Sequence, residues 1–387
     1  MLAELEAALE RRRTDGLLRE RRVVESAQGP RIRCGDRTLL AFASNDYLGL
    51  ANAPELVDAL CASARAWGAG AGASHLIVGH QAPHEALEQE LAAFVAPGAN
   101  ARALVFSSGY LANLAILSSL ASRHDAIFAD RLNHACLTDG ARLSRATLTR
   151  YPHLDVGALR DALGRVRARR RFIVTDAVFS MDGDIAPLAD LLELAQTHDA
   201  WLVVDDAHGF GVLGGGRGTL AHLGLCSERI VCMGTLGKAA GVAGAFVAAH
   251  PLVIETLVQT ARPYIYTTAS PAPLAETLRV ALRVVRDADA RRARLATLIG
   301  AFRAQAAGLP WKLLASSTAI QPLVVGDAAT AVRVAEALAA RGILVPAIRP
   351  PTVPAGTARL RISLSSAHTL ADVDALARAL REVAADA

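Results

Sequence analysis

Lys238 stands in TLGKAAGVAGA, residues 235–245, among glycines, alanines and a valine, with no acid within several positions to pair with it. Of the 41 basic side chains only Lys238 and Lys312 are lysines; the other 39 are arginines. Guanidinium stays protonated in proteins, whereas a desolvated lysine amine can lose its proton and attack a carbonyl carbon. A chain that uses arginine almost wherever a positive charge suffices leaves two readings of Lys238, a surface lysine beside a flexible loop or an amine kept for its nitrogen. Asp205 and His208 follow the apolar run WLVV in DDAHGFG, residues 205–211. A carboxylate buried at such a strand mouth is unfavourable unless a cation meets it. A protonated pyridine nitrogen is such a cation, and His208 can bond a second atom of the same ring. Asp206 reads better as a cap or turn residue.

FSSGYLAN, residues 106–113, puts Ser108, Gly109 and Tyr110 at a strand-to-helix junction, where unpaired amides and the positive end of the helix dipole favour a phosphate. Thr235, three before Lys238, can add a hydroxyl. A nucleotide-binding P-loop is excluded, because Cys232 and Ala239 stand where its first glycine and its hydroxyl residue belong. A phosphate pocket, an acid for a pyridinium nitrogen and an amine for a Schiff base are the requirements of pyridoxal phosphate.

Short apolar runs alternate with helical patterns from about residue 102 to 250: RALVFSSG, DAIFAD, RFIVTDAVFSM, WLVVDDAH, RIVCMGTLGK and GAFVAA. Such alternation predicts an α/β domain with a mainly parallel sheet, whose ligands gather at the carboxyl ends of the strands. One crevice is expected to collect Ser108, Gly109, Asp130, Asp176, Ser180, Asp205, His208, Thr235 and Lys238. RIRCGDRTLLAF predicts a hairpin. After PYIYTTASP a long helical stretch runs to about residue 308, and beyond it three apolar runs and two helical stretches predict a smaller α+β domain completed by the amino-terminal segment. The expected division is 1–50 (small domain), 51–285 (cofactor domain) and 286–387 (small domain).

The 387 residues are 52% apolar and 20% charged, with a net charge of +4 and a pI near 9.0. Interspersed acids and 4% aromatics argue against a nucleic-acid binder. No apolar run approaches a membrane span, and MLAELEAALERRRTDGLLRERR predicts a helix rather than a secretory signal, so a cytoplasmic protein is expected. Five cysteines without C-x-x-C spacing support neither a disulfide framework nor a metal site. The arginine clusters at 11–13 and 165–171 read as solvated helix faces, with an acidic acyl carrier as the sharper alternative for a partner.

SNDYLGL (44–50), NHACLTDG (133–140), TDAVFSMDGDIAPL (175–188), DDAHGFGVLG, GRGT (216–219) and GTLGKAAG run in one order over nearly the whole chain. In these motifs the sequence resembles the α-oxoamine synthases, a fold-type I, aminotransferase-like family of pyridoxal phosphate enzymes. AIRPPTVPAGTARLRISLSSAH (347–368) is most similar to the members that condense L-alanine with a pimeloyl thioester, carried on coenzyme A or acyl carrier protein, in biotin biosynthesis. GASHLIVGH (72–80) departs from the family, with His75 in place of a frequent arginine or glycine and Val78 in place of a small hydroxyl residue, and no site is carried over there.

The resemblance implies that Lys238 forms the Schiff base and later acts as the base, and that His134 stacks on the ring. Asp205 would keep the ring nitrogen protonated, with His208 and Ser180 orienting the ring. Ser108, Gly109, Tyr110 and Thr235 would surround the phosphate or ring edge. Arg349 would hold the amino-acid carboxylate with Thr352 beside it, and Arg19 the far carboxylate of the pimeloyl chain. A homodimer is implied as well. Two other readings stay open: a related synthase using glycine and a short acyl thioester, and a non-enzymatic arginine-rich binder of polyanions.

Overall fold

Residues 31–41 turn back on themselves as the hairpin expected: β1 (Arg31–Cys34) pairs antiparallel with β2 (Arg37–Ala41). Gly35 takes φ +59° in the two-residue turn, a conformation that favours glycine. The structure, a computed structural model, describes residues 1–386. The amino-terminal helix is shorter than expected, Leu2–Thr14, and buries none of its side chains. Gly16, at φ +65°, follows it, and the next residues, Arg19 among them, run without regular structure.

One unit spans residues 50–180 and 185–289. Its strands are β3 (Arg102–Phe106), β4 (Ala126–Asp130), β5 (Thr147–Tyr151), β6 (Arg171–Asp176), β7 (Ala200–Asp205), β8 (Ile230–Thr235) and β9 (Ala245–Ala249). They form one sheet in the order β3-β9-β8-β7-β6-β4-β5. Only β9 runs against its neighbours. β4 and β6 to β8 are nearly continuous apolar runs because helices cover both faces of a parallel sheet. β5, TLTRY, was not expected: it is an edge strand, mostly half-buried or exposed, and lacks an apolar run. Ile116, Leu117, Ile127, Val174, Val203 and Val231 are fully buried in the core between this sheet and its helices. Each such side chain contributes about 1.5–3 kcal/mol.

The other unit comprises residues 1–49, 181–184 and Ala290 onward. It contains β10 (Lys312–Leu313), β11 (Ile320–Gly326), β12 (Ile343–Leu344), β13 (Ala347–Ile348) and β14 (Ala358–Ser363). The strands β10-β11-β14-β13 form an antiparallel sheet, and β12 joins β2 in parallel. Helices Ala328–Ala340 and Leu370–Ala385 start at the side-chain caps Asp327 and Thr369. Residues 181–184 are tied in by buried Arg359, which donates to Asp182 at 2.7 Å and to the Met181 carbonyl at 3.1 Å. No helix among the described residues is long and apolar enough to cross a membrane.

Candidate active site

The strand ends bring the chemistry together. Asp176 closes β6 and Asp205 closes β7 at paired positions, and Asp205 lies opposite Met233 of β8. β8 ends at Thr235, and the connection to antiparallel β9 carries Lys238. That connection is folded tightly: Leu236 N donates to Gly244 O at 2.9 Å, and Gly241 N to Lys238 O at 2.9 Å. Gly241 has φ +74°, and a Cβ there would stand 2.6 Å from the Leu50 carbonyl carbon, so glycine is required.

These ends enclose a cavity of about 200 Å³. Lys238, His208, Ser180 and Thr235 line it, with Asp205 and Asp176 in its floor. Gly109 and Tyr110, the first residues of the helix Gly109–Leu120, bring that helix's amino end to it, where backbone N–H groups lack intrahelical acceptors. His134 caps the helix Ala135–Ser144 at the rim. Of the nine residues expected in one crevice, seven line this cavity. Ser108 is held one position away as a helix cap, its hydroxyl accepting from Leu111 N at 3.3 Å. Asp130 is diverted altogether, because it accepts from Leu132 N and Leu154 N and pairs with His153.

Lys238 Nζ lies 2.9 Å from His208 Nε2. Asp205 is buried, and its oxygens accept from Asn113 Nδ2 at 2.7 Å and from Ala207 N at 3.0 Å. Asp176 is fully enclosed, and burial, reinforced by the Asp205 charge, pushes its pKa well above the usual carboxylate range. One of its oxygens accepts from His134 N at 3.1 Å; the other has no partner among the described residues. Asp206 is structural, as expected: it accepts from the Thr219 backbone at 2.7 Å and hydroxyl at 2.5 Å. A Cβ on Gly218, whose φ is +107°, would stand 2.1 Å from Asp206.

Arg19, Arg349 and Thr352 belong to the unit built from both chain ends. Arg349 donates to the Leu18 carbonyl at 2.7 Å, so it is bonded to the peptide that leads into exposed Arg19. Thr352, also exposed, closes a turn by donating its N–H to the Arg349 carbonyl at 3.1 Å. Arg169 and Arg170 of the basic stretch 165–171 each pair with buried Asp125 at 3.1 Å, so part of that charge is met internally. The divergent His75 is buried and stacks on Tyr264 at 4.9 Å, a packing role.

Sequence reasoning missed Asn113 and Cys136. Asn113 is the polar residue of an otherwise apolar helical stretch and is fully buried, a placement that requires hydrogen-bond partners. That signal was available.

A small cavity with an amine, a buried carboxylate, two imidazoles, hydroxyls and a helix amino end is a cofactor-dependent site on an aminotransferase-like sheet. The family described as aminotransferase class I and II matches residues 37–380, and the chain belongs to it. Within that class, the 8-amino-7-oxononanoate synthase of Polaromonas naphthalenivorans is 57% identical over 396 residues, covering 97% of both chains. A solved 8-amino-7-oxononanoate synthase from Francisella tularensis superposes with TM-score 0.77 at 34% identity, covering 90% of this chain and 98% of that one. A serine palmitoyltransferase from S. paucimobilis, solved with PLP and myriocin bound, gives TM-score 0.92 at 29% identity, covering 99% and 97%. The expected fold-type I architecture and family are borne out.

Proposed function

We propose that this chain condenses L-alanine with a pimeloyl thioester, releasing carbon dioxide and the free thiol and giving 8-amino-7-oxononanoate for biotin, with pyridoxal phosphate as cofactor. One observation carries the reading: an amine, Lys238, and a buried carboxylate, Asp205, face one cavity in a chain 57% identical to a synthase of that name. The residues fit the cofactor, since the donor set offers an amine for its aldehyde, an anion for its ring nitrogen and a helix amino end with hydroxyls for its phosphate. When bound, pyridoxal phosphate supplies an electron sink for a bond pair released at the amino acid's α-carbon.

The protein's own groups do the rest. Lys238 Nζ would hold the aldehyde carbon and, once displaced by the substrate amine, accept and return the α-proton. The hydrogen bonds from Asn113 and Ala207 preorganise Asp205 before charge develops, the arrangement that gives such groups their large effect. His208, in contact with Lys238, and Ser180 would orient the ring, and His134 would cover its face. Thr235, Tyr110, Gly109 and Ser108 would hold the phosphate or ring edge. Arg349 would bind the amino-acid carboxylate with Thr352 beside it, and Arg19 the far carboxylate of the acyl chain.

Two further parts belong to the proposal. A homodimer is supported by the exposed apolar residues Leu76, Ile77 and Val78 in one turn, all at least 48% accessible. Delivery on acyl carrier protein is supported by the exposed arginines 165 and 167 of the basic stretch 165–171. The purified protein is expected to be yellow, to change spectrum on adding L-alanine, and to form the oxononanoate from pimeloyl thioester, followed by mass spectrometry. Turnover of glycine with acetyl-CoA in place of that pair would transfer the assignment to the glycine-using synthases. A colourless protein that binds a polyanion in a salt-dependent manner would end the enzymatic reading.

A further inference from the structure

We propose that Asn113 and Cys136 are positioning residues that link the acid at one side of the cavity to the histidine at its rim, so that the settings of Asp205 and His134 depend on each other. The inference rests on the cofactor reading above. Asn113 Nδ2 has two hydrogens, and two acceptors are in reach: Asp205 Oδ2 at 2.7 Å and Cys136 Sγ at 3.1 Å. The opposite amide orientation would set a carbonyl oxygen against a carboxylate oxygen, so the nitrogen faces Asp205. Cys136 Sγ then lies 2.8 Å from His134 Nδ1.

The direction of this last bond follows from a second one. Cys136 N donates to the same His134 Nδ1 at 3.3 Å, as part of the helix cap, so that nitrogen carries a lone pair. The thiol must therefore donate S–H to it while accepting from Asn113. Burial, with the Asp205 charge next, pushes the Cys136 pKa up to about 12, which keeps the proton on sulfur. Desolvation of its ring lowers the His134 pKa against the pull of Asp205; the bond from Cys136 N locates the proton without that help. All donors point one way: Asn113 N–H to sulfur, S–H to Nδ1. The neutral imidazole is left with its proton on Nε2, and the same Asn113 amide holds Asp205. Neither residue need touch the reacting atoms, so neither is catalytic in its own right.

The test uses the holoenzyme and two readouts other than turnover: the pH midpoint of the visible band of the Lys238-bound cofactor, and ring 15N NMR of His134. Asn113→Ala and Cys136→Ala should each move the midpoint, and the double variant should move it by less than the sum. Cys136→Ala keeps the backbone N–H on Nδ1, and with it the tautomer, but removes the second donor, so the Nδ1 resonance should move toward that of an unbonded lone pair, whereas Cys136→Ser, which keeps donor and acceptor, should restore it. In turnover, Cys136→Ala should lose about tenfold in kcat with little change in KM, and Cys136→Ser most of that loss should recover. Unchanged midpoints and Nδ1 resonances, strictly additive midpoint shifts, or a serine variant as impaired as the alanine one would overturn the link. A parent protein with no visible band would overturn the cofactor reading and this inference together, whereas a normal parent band with unmoved variants sinks the inference alone.

Discussion

The Lys238 amine lies 2.9 Å from Nε2 of His208, three residues beyond Asp205 at the end of the neighbouring strand. An ammonium can only donate, so with Lys238 protonated Nε2 accepts and the ring proton sits on Nδ1. Lys238→Arg keeps a cation beside His208 but has no amine for a carbonyl carbon. The variant is expected to lose the borohydride-reducible link to the cofactor and more than about a thousandfold in turnover. Near-normal activity would show that charge alone is needed at this position.

Asp205→Asn is nearly isosteric and can still receive the Ala207 N–H, but it carries no charge. Cofactor should remain bound while alanine-dependent turnover falls by about two to three powers of ten, followed by stopped-flow absorbance. A variant as fast as the parent would remove Asp205 from the proposed role.

Much of the site was legible because strand ends are legible. WLVV followed by DDAH, and RIVCMGT followed by LGK, place a polar group where an apolar run stops, and a parallel sheet brings such stops together. Spacing along the chain could not tell which of those polar groups a nearer partner would divert. Asp130 has the same strand-end position as Asp176, yet it turns to Leu132 N of its own loop and to His153 and Leu154 N, which the loop after β5 supplies. β5 itself was not read, so neither was its effect. Ser108 likewise went to its helix as a cap. Asp206 was separable from Asp205 only as a turn residue; its partner, Thr219, is 13 positions away.

Glu88 gives a pH test outside the site. Burial raises its pKa to about 8 from 4.5, although Val105 N donates to it at 2.8 Å. Between those two values the folded protein keeps a proton that the unfolded chain releases, so stability from this group is full below the lower value and is lost as pH rises toward the upper one. Glu88→Gln stays neutral and can still accept from Val105 N. Parent and variant should melt alike near about pH 5, and at about pH 9 the variant should melt higher by at least about 2–4 °C. Parallel melting curves across that range would show that Glu88 is not held protonated.

Arg19 tests substrate identity. It is exposed, and Arg349 donates to the carbonyl just before it, so truncating Arg349 would disturb the Arg19 segment as well and confuse two effects. Arg19→Ala leaves that bond in place. A pimeloyl group differs from shorter acyl groups by an apolar chain ending in a carboxylate, and a guanidinium fork suits that end. Losing one charge-assisted pair at about 2–3 kcal/mol corresponds to a fall of about 30- to 150-fold in kcat/KM for pimeloyl thioester. A matched thioester without the terminal carboxylate should react equally in parent and variant, and the spectral change caused by L-alanine alone should persist, because neither depends on the far end of the acyl chain. Steady-state rates with both donors check the first two outcomes, and a titration with alanine checks the third. Equal losses with both donors, or none with either, would mean that Arg19 does not read the carboxylate.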